Sequence, residues 1–466
     1  MHHSNRRRRL HQIEILRQQF AQADGLPFAD VLSTDGLEDA ILEEKAAWRE
    51  SIYTAVLTLW AFLAQVISAD GSCRSAVARV LAWLVSQGHS PCTAKTDPYC
   101  KARQRLPESL LQRLFRETGR ALHYEAPGEW LWKGRRVKIV DGTTVSMPDT
   151  AANQAVYPQM QSQKLGLGFP LARMVVVFSL ACGTVLDAAI GRYQGKKTGE
   201  NSLFRTLHDA LDARDVVLAD RYFGGYFDIA LAQERGADVV VRLHQLRRAD
   251  FQRGYRFGPE DHVVVWRKPQ RPGWMDEETY RRLPNELFLR EVGVRVDRPG
   301  FRTKYVVVVT TLLDVQQFTH DDLAQLYRAR WHAELDLRSL KVVLGMDVLR
   351  CRSPEMVRKE IWAHLLAYNL IRTVMARAAL DTGVLPRELS FKGALQSLTA
   401  FAERLLHADA ETTEELYAQL LLAIASHRVG DRPDRVEPRA RKRRAKHYPH
   451  LHVTRDQART YVYANP

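Results

Sequence analysis

The chain has 466 residues, of which 45% are apolar, 26% charged and 9% aromatic, the composition of a globular protein of about three domains and not of a fibrous or wholly disordered chain. Lys and Arg number 68 against 54 Asp and Glu, a net charge of +14 that points to a polyanionic partner, either nucleic acid or an acidic membrane surface. Five cysteines with no C-x-x-C pair among them argue against a disulfide framework and suit a reducing cytosol.

The first 125 residues read as a helical domain. Helical spacing runs through Leu37 to Arg49, Ser51 to Ser68, Cys73 to Ser86 and Glu108 to Tyr124, with little strand-like alternation. The charge-free stretch SIYTAVLTLWAFLAQVISA, Ser51 to Ala69, approaches the length of a membrane span. Its Ser, Thr and Gln residues, and the flanking Arg49, Glu50 and Asp70, make it a buried helix instead. The basic run Arg6 to Arg9 is followed by LHQIEILRQQF, which carries a Glu and polar residues where a signal peptide needs an apolar core, so export is not expected.

From Arg135 the pattern changes to β-branched runs. RVKIV ends at Val140, and ARMVVVFSLACGTVLDAAIG reads as two strands joined near Gly183. A helix is expected at about Asn201 to Asp212, then the strand DVVLAD ending at Asp220, a helix at about Gly225 to Glu234 and a strand at Ala237 to Leu243. Strands followed by strand-helix alternation predict an α/β sheet of mixed pairing. At about 245–304 the rhythm breaks into a β-rich insertion with strands at His262 to Trp266 and Leu287 to Val296. The strand Lys304 to Leu313, a long helix from about Thr319 to Leu344 and further helical segments from Pro354 to about Ser426 follow. From Arg428 the chain is polar, basic and interrupted by Pro433 and Pro438, and reads as extended or partly disordered in isolation.

Three carboxylates stand where a metal site needs them. Asp141 follows VKIV directly and Asp220 ends VVLA, and ligands of open α/β sheets gather at the carboxyl ends of strands. Either Asp taken alone also suits a turn or an N-cap. On the long helix, Tyr327, Arg330, Glu334 and Lys341 fall within about a 60° arc at 100° per residue, beside an apolar stripe of Leu326, Ala333, Leu337, Leu340 and Leu344 that packs the helix down. Geometry alone serves a catalytic face and a solvated face with an Arg330–Glu334 pair equally.

The spacing Tyr327-x2-Arg330-x3-Glu334-x6-Lys341 resembles the Y-R-E-K signature of transposases of the insertion-sequence-four family, within the DDE transposases. VDGTTVSMPDT at Val140 to Thr150, YPQ at Tyr157 to Gln159 and GLGFP at Gly166 to Pro170 resemble the surroundings of that family's first Asp. LADRYFGGYF at Leu218 to Phe227 resembles those of its second, and RVEPRARKRR at Arg435 to Arg444 resembles its usual C-terminal tail.

The resemblance implies an RNase H-like catalytic domain at 126–375 interrupted by the β insertion, between a helical end-binding domain at 1–125 and a helical C-terminal region with a basic tail at 376–466. It implies Asp141, Asp220 and Glu334 as the metal-holding catalytic triad, with Mg²⁺ in two sites or Mn²⁺ as a substitute. Hard oxygen ligands suit such ions, and two of them can serve in-line displacement at phosphorus. Tyr327, Arg330 and Lys341 would contact DNA, and a Trp of the insertion, Trp266 ahead of Trp274, would stack on an extruded base.

The implied activity is cut-and-paste transposition through a DNA hairpin, acting on terminal inverted repeats and target DNA, by at least a homodimer in the synaptic complex. The expected location is the bacterial cytoplasm at the nucleoid. Two other readings remain beside it: a catalytically inactive repressor or inhibitor of transposition, and a nuclease that only hydrolyses DNA. Sixteen histidines form no H-x-x-x-H or Cys/His cluster, and GKKTG at Gly195 to Gly199 lacks phosphate-loop spacing, so neither zinc nor nucleotide hydrolysis is expected. Of the net charge, Arg6 to Arg9 supply four and Arg428 to Lys446 six, in polar segments without an apolar face. That distribution favours DNA phosphates over a membrane surface.

Overall fold

A computed structural model of the chain describes residues 52–86, 90–295, 305–405, 410–430 and 450–464, with 40, 41, 43 and 88 besides. The expected helix at Leu37 to Arg49 falls outside this set except at Ala40, Ile41 and Glu43, and the basic runs Arg6 to Arg9 and Arg435 to Arg444 fall outside it altogether.

Four helices open the described chain: α1 (Ala55–Ile67), α2 (Cys73–Ser86), α3 (Asp97–Arg105) and α4 (Glu108–Tyr124). Thr54 caps α1 by accepting the Leu57 N–H at 3.2 Å, a bond that satisfies one of the orphan donors of a helix start. The helix is apolar on two sides because it is buried on two sides. Leu57 and Ala61 join Val77, Val80, Leu84 and Tyr99 in a small core, while Leu59, Phe62, Leu63 and Val66 join the main one. That accounts for the charge-free stretch, and no helix among the described residues is long and apolar enough to cross a membrane.

A nine-stranded sheet follows, made of β1 (Val137–Ser146), β2 (Leu171–Ser179), β3 (Val185–Arg192), β4 (Val216–Ala219), β5 (Asp238–Arg242), β6 (Tyr255–Gly258), β7 (Asp261–Arg267), β8 (Glu286–Arg295) and β9 (Tyr305–Thr310) in the order 3-2-1-4-5-9-8-7-6. β1, β2 and β3 form an antiparallel meander, and β4 and β5 run parallel to β1. The order 3-2-1-4-5 with β2 antiparallel to the rest is that of an RNase H-like core. Parallel pairs need crossovers, and helices run between β3 and β4 and between β4 and β5 to supply them. The β-rich segment expected at about 245–304 prolongs this same sheet. β9 pairs antiparallel with β5, and β8, β7 and β6 follow it outward.

Both faces of the core sheet are covered, which is why its strands read as unbroken apolar runs. The period of two is still visible in how they divide. Ile139, Val216, Leu218 and Val240 enter one core, and Val140, Val217, Ala219, Val239 and Val241 enter the other. The second face is closed by two helices, α6 (Glu200–Arg205) and α7 (Tyr226–Glu234). The helix expected over Asn201 to Asp212 is therefore shorter, ending at Arg205 and followed by a tight turn at His208–Ala210. A one-turn helix α5 (Ala151–Val156) follows β1, and α8 (Glu277–Arg282) lies between β7 and β8.

The first face is closed by the C-terminal half. The single long helix expected over Thr319 to Leu344 is broken into α9 (His320–Ala329), α10 (Trp331–Arg338) and a π turn at Ser339–Val343. The break lies at Arg330, whose N–H bonds to Tyr327 O three residues back, so one tightened turn re-aims the segment that follows. Behind it runs α11 (Pro354–Thr382), then α12 (Phe391–Leu405) and α13 (Ala410–Ser426). The tail is not wholly extended as expected: it holds a final helix, α14 (Arg455–Ala464).

One buried amide ties α4, β3 and α11 together. Asn369 on α11 is fully buried. Its Oδ1 accepts the Val185 N–H at 2.8 Å, and its Nδ2 donates to Val185 O at 2.8 Å and Phe115 O at 3.1 Å. The same crossing needs Gly119, where a Cβ would lie 2.1 Å from Val185 O. Truncation of the amide strands three backbone groups away from water, so Asn369→Ala is expected to lower stability by about 2–4 kcal/mol. The urea midpoint measures this, and an unchanged midpoint would remove the amide from its structural role.

Candidate active site

The parallel pairing of β1 with β4 ends at Val140 opposite Ala219. The next residue on each strand is an aspartate: Asp220 leaves the sheet at the end of β4, and Asp141, still paired with Val176 of β2, stands where β1 loses its β4 neighbour, so that the strand runs on past the end expected at Val140. Each is oriented by a backbone donor of its own loop. Asp141 Oδ1 accepts the Gly142 N–H at 2.8 Å, and Asp220 Oδ1 accepts the Tyr222 N–H at 2.7 Å as the cap of the turn Arg221–Phe223.

Glu334 comes from α10, which packs on β1. Between it and Asp141 stands a guanidinium: Arg330 Nη2 lies 3.1 Å from Glu334 Oε1, and Arg330 Nη1 3.8 Å from Asp141 Oδ2. Asp141, Gly142, Asp220, Arg330, Glu334 and Lys341 line one open cleft of about 510 Å³. Lys341 reaches it from the π turn, a local widening of the helix of the kind that recurs at functional sites. Tyr327 does not line the cleft but packs against the main core. Burial raises its phenol above the usual range, and Arg330 opposes the shift.

The electrostatics follow from burial. Loss of solvent pushes the Asp141 carboxyl up to about 6; the Gly142 N–H and Arg330 oppose this, and the charges of Asp220 and Glu334 add to it. Three carboxylates therefore repel one another in a low-dielectric cleft with Arg330 as the partial counterion. Their oxygens are the hard donors that a divalent cation takes, and a cation would relieve that repulsion. As placed, with Arg330 engaged by two of the three, the acids do not close into a ligand set: among the described residues no three His, Cys, Asp or Glu side chains stand ready to hold one ion.

Neither tryptophan of the β-rich segment lines the cleft. Trp266 is only 5% exposed, donates its indole N–H to Glu291 Oε1 at 3.4 Å and has the Arg247 guanidinium 3.7 Å above its ring. Its ring faces inward from β7, although the strand's last residue, Arg267, is exposed. Trp274 is more open at 38%, with Arg205 stacked 3.5 Å over it.

Sequence reasoning missed the support of the glutamate. Asp336, two residues beyond Glu334, is fully buried. It pairs with Arg372 Nη2 at 2.5 Å and Arg387 Nη1 at 2.6 Å, and accepts the Tyr368 hydroxyl at 3.0 Å. The signal available was Asn369 and Arg372, polar residues inside the long apolar helix α11.

Residues 132–370 match the family described as Transposase DDE domain. The chain is similar to the transposase InsG for insertion sequence element IS4 of Escherichia coli (strain K12), with 29% identity over 357 residues, 75% of this chain and 77% of that one. It is also similar to the transposase for insertion sequence element IS421 of Escherichia coli, with 36% identity over 271 residues, 52% of this chain and 66% of the relative. Among solved structures, a chain of a piggyBac transposase synaptic complex with hairpin DNA aligns with 80% of this chain and 76% of its own, at 10% identity and a TM-score of 0.41.

The Asp141 carboxyl fixes a pH dependence. Its folded value lies above its unfolded one, so between about pH 4 and 6 the folded chain holds a proton that the unfolded chain has lost. Stability then falls as pH rises through that window and stays lower above it. Asp141→Asn removes the penalty and is expected to stabilise the chain by about 1–3 kcal/mol at pH 7 in chelator. Melting temperatures at pH 4 and pH 7 test this: equal shifts at both would contradict it.

Proposed function

This chain belongs to the family of transposases with a DDE domain, as an insertion-sequence transposase of the IS4 type, and on that premise we propose that it cuts and joins DNA at the cleft of Asp141, Asp220 and Glu334. The observation that carries the reading is the convergence of these acids with Arg330 and Lys341 on one open cleft at the point where the parallel pairing of β1 with β4 ends. The proposed reaction is cut-and-paste: hydrolysis of one strand at the transposon end, attack of the freed 3′-hydroxyl on the opposite strand to form a hairpin and release the flanking DNA, hydrolysis of the hairpin to regenerate the 3′-hydroxyl, and attack of that hydroxyl on a target phosphodiester, whose own 3′-oxygen leaves.

Asp141, Asp220 and Glu334 are the residues that would hold Mg²⁺, or Mn²⁺ in its place. When bound, such ions supply charge neutralisation at the phosphoryl oxygens and activation of the attacking one. The chain's own part is to position and to exclude. The Gly142 and Tyr222 amides fix the two aspartates. Arg330 spans two of the acids in the free protein, and a DNA phosphate offers it a bidentate acceptor in their place. Its departure frees Glu334. Lys341 adds a point charge for the neighbouring phosphate, and Tyr327 steadies Arg330 from the core side. Of the two tryptophans, Trp274 is the more accessible for stacking on an extruded base, once Arg205 yields its face.

In this reading, residues 1–125 recognise the terminal inverted repeats, 126–375 form the catalytic domain and 376–466 supply a helical region with a basic tail. Two copies act in the synaptic complex, in the nucleoid of a bacterial cytoplasm.

Asp141→Ala, Asp220→Ala and Glu334→Ala are each expected to reduce Mg²⁺-dependent nicking of an end-containing duplex by at least about 10²–10³-fold, with end binding retained in a gel shift. Normal nicking by any folded variant would overturn the triad. Lys341→Ala is expected to weaken both binding and cleavage, and removal of residues after Arg428 to flatten the salt dependence of DNA binding. An unchanged salt slope would take the tail out of the DNA interface.

A further inference from the structure

Two cysteines far apart in the chain meet beside one arginine in the helical unit, well away from the cleft. Cys73 opens α2 and Cys100 lies in the first half of α3. Their sulfurs stand 3.9 Å apart. Arg103 reaches both, with Nη2 3.2 Å from Cys73 Sγ and 3.9 Å from Cys100 Sγ.

Arg103 is 7% exposed and lies against the rings of Phe62 and Tyr99. Its Nη1 donates to Gln65 Oε1 at 3.3 Å, and among the described residues no carboxylate pairs with it. A guanidinium taken out of water is costly unless an anion answers it. The group within reach that can become one is a thiol. Helix starts favour negative charge, and both cysteines sit near one. Hydrogen bonding to Cys73 pulls the Cys100 thiol down to about 6, with loss of solvent opposing and Arg103 assisting. The same bond pushes Cys73 up, so the pair shares one proton near neutral pH. Both residues keep part of their surface in solvent. Cys351, which also feels Arg103, is buried, and burial pushes its thiol up.

We infer that Cys73 and Cys100 form a modification site that hydrogen peroxide converts to a disulfide, fastening the start of α2 to α3. The thiolate of the pair attacks one peroxide oxygen; the O–O bond breaks, the departing hydroxide takes a proton to become water, and the sulfur is left as a sulfenic acid. The second sulfur then attacks the first. The S–S bond forms, the S–O bond breaks, and the hydroxyl leaves as water with the proton of the second thiol. Two thiols have lost two electrons and the peroxide has gained them. The sulfurs must close by about 2 Å to reach bonding distance, within the reach of a side-chain rotation. A solvent-accessible thiolate poised beside a resolving sulfur is the arrangement that makes cysteines responsive to oxidants. Closure also takes the anion from Arg103. Its neighbours hold α3 in place, Tyr99 by donating to Gln65 Oε1 on α1 at 2.7 Å and Gln104 by accepting from Lys359 Nζ on α11 at 2.8 Å, so the modification is felt where the helical unit meets α11.

The test treats the reduced full-length chain with hydrogen peroxide and maps its peptides by mass spectrometry without reductant. A peptide linking Cys73 to Cys100 is expected, and dithiothreitol should abolish it. In the untreated chain, alkylation of the pair by iodoacetamide should rise with a midpoint at about pH 6, below the ~8.5 of an ordinary thiol. In Cys73→Ser, which lacks the resolving sulfur, dimedone should trap a sulfenic acid on Cys100. Survival of both thiols at a peroxide dose that oxidises free cysteine would overturn the proposal, as would linkage through Cys92 or Cys351 in preference to the pair. An alkylation midpoint above about pH 8 would remove the thiolate. Should Cys73→Ser fail to fold, the peptide map and the alkylation profile of the parent chain decide the matter by themselves.

Discussion

The position of the cleft depends on a carboxylate that never reaches it. Asp336 is fully enclosed, and the guanidinium groups of Arg372 and Arg387 close on its two oxygens. Arg387 also donates to Ser179 O and Leu180 O at the end of β2, while the Tyr368 hydroxyl bridges from Asp336 to Gly183 O. One buried cluster thereby joins α10, α11, the segment after α11 and the β2–β3 hairpin. Desolvating such charges is expensive, and leaving one unpaired costs about 3–5 kcal/mol, so the members stay together or the packing fails together. Because Glu334 lies two residues from Asp336, the cluster sets which way the glutamate points.

The strands were legible in the sequence because their signal is local. VKIV and VVLA are unbroken β-branched runs, each ended by an aspartate, and parallel pairing alone suffices to bring those two ends together. The convergence of Asp141 with Asp220 therefore follows from two short runs and the rule for strand ends. The helix that carries Glu334 was legible in type but not in continuity. A period of 3.6 runs straight through Arg330, and only packing of the segment against the sheet and α11 breaks it there. The same limit applies to Trp266. A Trp at the end of an apolar strand gives no local sign of whether its ring meets solvent, and the Glu291 and Arg247 that enclose it come from elsewhere in the chain.

The electrostatics of the cleft set function against stability. Asp141 is an acid held above its usual range by burial near like charges, and Arg330 answers only part of that excess. A protein selected for stability alone would place an amide there. The repulsion at Asp141 persists, oriented by a backbone amide rather than relaxed by distance, and it is what the proposed binding of a cation would relieve. Most of the net positive charge, ten of the fourteen, lies elsewhere, in the terminal runs. The long-range attraction for a polyanion and the short-range attraction for a cation are thus kept apart in sequence, so neither neutralises the other.

The sheet that carries Asp141 and leads into Asp220 does not stop at the core. Strands β9, β8, β7 and β6 continue it without a seam, and each neighbour in a twisted sheet is rotated by roughly 20–25°. The outer strands are thus not a separate lobe: the ladder that joins β9 to β5 continues through β4, so the β-rich segment is anchored one strand away from the strand that Asp220 ends.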